Sequence, residues 1–404
     1  MNAILTACLW PARSIQRARR RPQFPLECVK TRPSEHSSLP TTESVLKKEF
    51  GALCAVLIAT SALPAAAQQA RDFTVYGVMD LGVRRSSGLS ADHAPIGTSQ
   101  SGVTSGINDT SRWGVRGVTP LSGGLSTIWE LESGINADTG TQTHGGKYFD
   151  RGSWIGLRDS TGSLLTVGRQ TSLLADSLTS IDPLQKRLPD LNPNLTIGAL
   201  SQPGLTSQYG NTGLAGNAYW LDNAVKFTSQ STSFRTSAMY SFGEQAGDRK
   251  PLSSTGLAMS VEDRGATLSG AYQTFKDAEG HALKAWTAGL AYQSGNTRLA
   301  ASATHSKADQ GDFASTTQRV YSLGATLSTT TKADWTLAYY KVARERSQYA
   351  DDGFGRFVAF YEYKISYRTK LYAEFDLTNW DDGYQGPGNK SRATGFGVGM
   401  QYRF

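Results

Sequence analysis

A chain of 404 residues has room for one large domain or two to three ordinary ones, and its net charge of +7 is concentrated at one end. Residues 1–67 carry nine Lys/Arg and four Glu, whereas the remainder carries 32 Lys/Arg against 30 Asp/Glu, so the body lacks the basic excess that nucleic-acid binding requires. Cys8, Cys28 and Cys54 all lie near the amino terminus, which excludes a disulfide framework, a Cys-ligated metal and a thiol nucleophile from the body. The five His have no ligand-like spacing, and no metal or cofactor is expected.

Residues 1–44 are Arg- and Pro-rich with no sustained apolar period, and read as a non-native extension from a mis-assigned start or as a disordered segment. Residues 45–67, VLKKEFGALCAVLIATSALPAAA, have another character. Two lysines lead, about a dozen mostly apolar residues follow, and a small-residue A-x-A end closes the run, the layout of a secretory signal peptide. The run is too short to span a bilayer as a helix. No Met lies between Met1 and Met79, so we expect translation to start near Val45 or Leu46 at a non-ATG codon. Cleavage after Ala67 leaves an exported, cysteine-free body, 68–404.

In that body the recurring signal is period two over roughly ten residues, broken by Gly, Ser, Thr, Asn and Asp. In FTVYGVMDLGVRRS (73–86), Phe73, Val75, Met79, Leu81 and Val83 share one face, with Thr74, Tyr76, Asp80 and Arg84 on the other. SRWGVRGV (111–118) and LSTIWELES (125–133) follow, then RGSWIGLRDS and SLLTVGRQ, joined at Thr161-Gly162. Further strands are predicted at 223–231, 234–243, 255–263, 265–276, 283–294, 297–308, 318–328, 334–346, 355–366, 370–381 and 393–404, about sixteen in all. The longer connections, 87–110, 137–149, 171–222 and 382–392, fall at alternate joints, as an up-and-down meander requires.

A mean hydropathy of −0.37 with abundant Gly is poor in material for the core of a large water-soluble sandwich. It suits an all-β transmembrane antiparallel up-and-down β-barrel, whose polar face lines water while its apolar face meets lipid. Tyr76, Trp113, Trp129, Trp154, Tyr219, Trp220, Trp286, Trp335, Tyr361 and Trp380 stand near strand ends and are expected in the two interfacial girdles. The final GFGVGMQYRF alternates Phe396, Val398, Met400, Tyr402 and Phe404 with Gly, Gln and Arg. It predicts a closing strand that pairs with the first and removes the sheet edge.

VYGVMDLGV, SRWGVRG, STIWELE, RGSWIGLRD, VGRQ, NAVKFTS and the terminal GVGMQYRF, in that order over 68–404, resemble the general porins of the Gram-negative outer membrane, particularly the beta-proteobacterial type. The resemblance implies a sixteen-stranded homotrimeric barrel in the outer membrane, in contact with its lipid and lipopolysaccharide, that passes small hydrophilic solutes and ions by diffusion. It also implies that 171–222, a connection of about fifty residues, is a third loop folded into the lumen. In TSLLADSLTSIDP, a short helix with Leu173, Leu174 and Leu178 on one side is expected, and Asp176 and Asp182 resemble the acids that this loop presents to the pore. On the wall, Arg112 and Arg151 match the family's arginines by motif position, with Arg151 placed on the strand face opposite Trp154. Inward alternation adds Arg116, Arg84 and Lys226. Trp220, Val78 and Lys186 depart from the pattern, standing near positions where some members carry Arg, Lys and an acid. Phe404 and Tyr402 resemble the terminal signal read by the outer-membrane assembly machinery.

The body carries no G-x-S-x-G, H-E-x-x-H or P-loop. Glu130 and Glu132 share one strand face, where lumen lining is the expected role. A non-enzymatic channel for passive diffusion, leaning to anions, is therefore expected. A substrate-specific channel and an adhesion or binding barrel are the alternatives, and conductance separates them.

Overall fold

The computed structural model describes residues 72–404 except 91–93, 145, 190, 199–208, 211–219, 244–250, 312–313 and 348. The extension and signal segment expected over 1–67 lie outside the described residues. The strands are β1 (Asp72–Leu89), β2 (Pro95–Ser105), β3 (Arg112–Pro120), β4 (Ser126–Asn136), β5 (Thr141–Gln142), β6 (Gly152–Arg158), β7 (Leu164–Thr171), β8 (Trp220–Gln230), β9 (Phe234–Ser241), β10 (Ser254–Asp263), β11 (Ala266–Lys276), β12 (Ala282–Ser294), β13 (Thr297–Asp309), β14 (Ser315–Ser328), β15 (Ala333–Arg346), β16 (Asp352–Lys364), β17 (Thr369–Asp381) and β18 (Arg392–Arg403). Two helices, α1 (Leu173–Ile181) and α2 (Pro193–Gly198), fall between β7 and β8.

Each strand pairs antiparallel with its neighbours, and β18 pairs with β1 to close the sheet. The eighteen strands make sixteen staves. β2 and β3 are two halves of one stave along the same edge of β1, and β5 is a two-residue spur on β4. At one end seven turns of two to five residues join the staves, while the other end carries the longer connections.

Alternation along the staves separates the two faces. On β1, Val75, Met79 and Val83 are exposed on the outside while Asp80 and Arg84 are buried on the inside. On β18, Phe396, Val398, Met400 and Tyr402 are all at least 39% exposed, while Gln401 between them is buried. Across the outer wall Leu268, Leu290, Leu299 and Leu323 form an apolar band. Tyr272, Trp286 and Tyr321 border it toward the long connections, with Tyr292, Trp335 and Tyr402 toward the short turns. This aromatic–aliphatic–aromatic layering is what a lipid-facing wall requires.

Two sequence expectations are corrected. The 87–110 connection is largely strand: β1 runs to Leu89 and β2 returns along it, so the tip is short. Only 106–111 leaves the ladder, because Asp80 captures it. The Asp80 carboxylate accepts from the backbone N–H groups of Asn108 (3.4 Å) and Asp109 (3.0 Å) and from the Tyr372 hydroxyl (2.6 Å). Ile107 is buried on the inside, against the positions of Gly82 and Gly397. Several aromatics expected in the girdles also turn inward. Tyr76 donates to Glu132 (3.0 Å), Trp154 to Glu130 (3.3 Å), Trp220 lies under Arg151, and Trp380 stacks on Tyr384.

The seam is sealed by ten consecutive register pairs, Val78↔Arg403 to Ser87↔Thr394. Beyond them Gly77 and Phe404 exchange both backbone hydrogen bonds at 3.1 Å. A Cβ on Gly77 would stand 2.3 Å from the Phe404 ring and 2.7 Å from the Arg112 carbonyl. Gly77 is thus the seat of the terminal ring. Gly77→Val is expected to destabilise the folded barrel by about 1–3 kcal/mol, the usual range for overpacking. Deleting Phe404 should lower the yield of heat-resistant barrel in the same way, and the two changes together should be less than additive. Conductance per pore should be unchanged in both. Wild-type yield from either variant in a gel-mobility assay would contradict this reading of the seam.

Candidate functional site: the lumen and its inner loop

The segment after β7 is held against the inner wall by a run of local devices. Ser172 caps α1, its hydroxyl accepting from the Ala175 N–H (3.3 Å), and the Leu173 N–H donates to Gln273 on β11 (3.0 Å). Leu173, Leu174, Leu178 and Ile181 are fully buried, the first two in a cluster with Met239, Ala271, Phe275 and Leu283 from inward positions of β9, β11 and β12. Leu184, Leu188 and Leu191 continue the packing against Val320, Tyr340, Val358 and Phe360. Two wall glycines leave room for the passing loop: a Cβ on Gly289 would meet Ile181 at 2.9 Å, and one on Gly324 would meet Pro183 at 2.7 Å.

Asp182 fastens the middle of this loop. One carboxylate oxygen accepts from Tyr340 OH and Asn194 Nδ2 (both 3.0 Å), the other from Asn192 Nδ2 and the Lys186 N–H (both 2.9 Å). Arg298 Nη2 donates to the neighbouring Ser180 carbonyl (2.7 Å), and Arg356 to that of Leu191. Between these fixings Gln185, Lys186 and Leu188 all have positive φ (54°, 64° and 53°). Such conformations cost about 1–3 kcal/mol each for non-glycine residues and persist only where the surroundings over-determine them.

That strained turn borders a cavity of 1180 Å³ inside the barrel. Lys186 and Arg187 reach it from the loop, and Arg112, Arg151, Glu130 and Glu132 from the wall. Glu132 ties the wall group together: Arg151 Nε lies 2.7 Å from one oxygen and Arg112 Nε 3.4 Å from the other. Arg112 Nη1 also donates to Asp109 (2.8 Å), and the Arg151 guanidinium covers Trp220 at 4.8 Å. Lys186 is half-buried. Burial pushes its ammonium down to about 8, with the Arg151 charge acting in the same direction and Asp176 and Asp182 opposing it. Glu362 joins loop to wall, accepting from Asn108 Nδ2 (2.8 Å) and Lys370 (2.5 Å) while pairing with Arg187. The inward fold at 106–111 and the loop, through Arg187, therefore meet at one carboxylate.

The residues singled out in sequence reach different places. Arg112 and Arg151 line the cavity together. Arg151 does so although Trp154 also points inward, because it precedes β6 and escapes that strand's alternation. Arg84 touches the cavity, but its guanidinium is locked between Glu374 and Asp376. Arg116 lies over the Tyr76 ring (4.9 Å), outside the cavity lining. Lys226 and Asp176 pair with each other at 2.8 Å, also outside it. Asp182, fully buried, is a structural fastening in this geometry, and the loop presents cations where acids were expected. Sequence reasoning missed Tyr340, Arg298 and Arg356. Their inward strand positions were legible, but no local signal says that they reach a loop more than a hundred residues away. Among the described residues, Asp277, Glu279 and His281 bring ligand-type atoms within 4.8 Å. They close the β11–β12 connection, with Asp277 accepting from the Glu279 and His281 N–H groups (3.1 and 2.8 Å).

A closed barrel with a polar interior and an apolar belt now has a counterpart among known proteins. The profile of the family described as Gram-negative porin matches residues 52–383. The chain belongs to the Gram-negative porin family. As a porin it resides in the outer membrane, its staves crossing the bilayer. An outer membrane porin protein of Bordetella pertussis is 30% identical over 224 residues, 53% of this chain and 54% of that protein. The chain spans about half the length of the curated relatives it matches. An anion-selective porin from Comamonas acidovorans shares the fold, with a TM-score of 0.66 and 21% identity over 82% of this chain and 99% of that one. The trimer form of OmpT from Vibrio cholerae does so at a TM-score of 0.59 and 15% identity, over 82% and 99%.

The Asp182 clamp yields a direct expectation. Asp182→Ala leaves four donors without their acceptor in a buried site, which should destabilise the loop anchoring by about 3 kcal/mol or more. The barrel should still assemble, but proteolysis within 183–198 should accelerate and single-channel conductance should rise. Wild-type conductance together with wild-type protease resistance would rule out the clamp.

Proposed function

We propose that this porin is a water-filled channel for passive diffusion of small hydrophilic solutes and ions, working as a homotrimer without a catalytic step and leaning to anions. The observation that carries the reading is the charge of the cavity lining: among the described residues, eight Lys/Arg against six Asp/Glu. Arg112 and Arg151 share Glu132, Arg112 also pairs with Asp109, and Lys186 on the loop adds positive charge to the same cavity.

A solute entering the lumen keeps its water until the section between the Lys186 turn and the Arg112–Arg151 wall. There an anion exchanges part of its hydration for guanidinium and ammonium donors, while a cation meets acids already engaged, Glu132 by both arginines and Glu130 by the Trp154 N–H. Glu130 and Glu132 supply the opposite sign nearby, so the section carries a transverse field that favours dipolar solutes over greasy ones.

Planar-bilayer recording tests the reading. Ohmic steps should appear, and a salt-gradient reversal potential should have the sign of modest anion preference. Lys186 is charged below its pKa of about 8 and loses its proton as pH rises through that value. Anion preference should therefore fall between pH 7 and pH 9, and Lys186→Met should remove most of that change while lowering preference at pH 7. An absence of conductance, a cation-selective potential at pH 7, or an anion preference that rises with pH would each contradict it.

A further inference from the structure

We propose that a row of side chains on the outer wall, Thr274–Lys284–Lys307–Thr317, binds a phosphate of an outer-leaflet lipid headgroup. The four residues are direct register partners on β11, β12, β13 and β14. Their strand positions share the outward face with Tyr272, Trp286 and Tyr321, and both lysines are exposed.

Two features make this more than a solvated rim. Cross-strand partners stand with Cβ atoms about 5 Å apart, and like charges placed so are destabilising. Among the described residues no acid forms an ion pair with Lys284, with Lys307 or with Lys276, two residues beyond Thr274, whereas Arg319 and Lys341 on the neighbouring outward rows are matched: Arg319 Nη2 donates to Glu345 (3.1 Å) and Lys341 pairs with Asp381. Arg319 and Lys341 are thus neutralised within the protein while Lys284 and Lys307 face each other, an arrangement that an external dianion stabilises. Height is the second feature. The row immediately beneath is Tyr272–Trp286–His305–Arg319, with the His305 ring stacked on Trp286 at 5.9 Å. Aromatic rows of this kind mark the boundary between hydrocarbon and headgroups. The lysine row stands two residues further along each strand, at the end carrying the long connections, which is headgroup level above such a boundary. Two ammonium groups can clasp one phosphate from adjacent staves, with the hydroxyls of Thr274 and Thr317 flanking it.

Native mass spectrometry of the folded barrel, with diphosphorylated lipid A or its dephosphorylated form added in detergent, tests the assignment. The phosphorylated lipid should be retained and the dephosphorylated one lost. Lys284→Gln/Lys307→Gln should weaken retention at least about tenfold, or 1.4 kcal/mol, while Lys284→Arg/Lys307→Arg keeps it. Conductance of the Gln variant should be unchanged, since neither lysine reaches the lumen. Equal retention of the two lipids by the unmodified protein overturns the proposal, and this comparison stands even if the Gln variant fails to fold. Undiminished retention by a folded Gln variant also overturns it. So does displacement of the lipid by inorganic phosphate at low millimolar concentration, which would mark a site for free anions.

Discussion

Every backbone N–H and C=O in hydrocarbon must find a partner within the protein, since each one left unpaired costs several kcal/mol. In this chain the requirement is met at the pairing of β1 with β18, where ten residues of each strand bond across the seam and Gly77 and Phe404 complete the ladder. Once the cylinder is closed, period-two alternation assigns each residue to lipid or lumen without any further core. The low mean hydropathy follows, because half of each stave faces water and the apolar half needs only a single layer.

A lumen of this kind can hold polar machinery that a close-packed interior would exclude. Arg298, Tyr340 and Arg356 project from inward stave positions and grip carbonyls or the carboxylate of the loop after β7. The loop is buried by leucines on one side and clamped by Asp182 on the other, so it tolerates three left-handed non-glycine residues in a row of four. The return on this strain is position. Lys186 and Arg187 are brought to the same cavity as Arg112 and Arg151, and the inward fold at 106–111 braces the same region through Glu362. The opening is therefore bordered by three separate parts of the chain rather than by the loop alone.

Much of this was legible in the sequence, for a physical reason. Alternation over ten residues is a local property, so the faces of β1 and β18, the stave number and the loop helix could all be read from neighbouring residues. What failed was non-local or lay where alternation stops. Arg151 precedes its strand, so counting from Trp154 put it on the wrong face relative to that ring. The stretch 106–111 looked like ordinary loop because its bend depends on Asp80, more than twenty residues earlier, and on Tyr372 from the far end of the chain. Asp176 and Asp182 had the right chemistry for pore acids, but their partners Lys226 and Tyr340 are distant in sequence and consume their charge or hydrogen-bonding capacity. An inward Trp380 and an outward Trp335 stand near strand ends alike, and only the parity of each stave distinguishes them.

The central claim is that the Lys186 turn stands in the water path of a closed barrel. Residues 68–404 contain no cysteine, so in a barrel prepared from 68–404 Lys186→Cys supplies a single thiol. With the variant in a planar bilayer, a charged, membrane-impermeant thiol reagent should react and lower the conductance of each open channel in one discrete step, and a reducing agent should restore it for a disulfide-forming reagent. A folded variant whose conductance is unaffected by complete modification of that thiol would contradict the account.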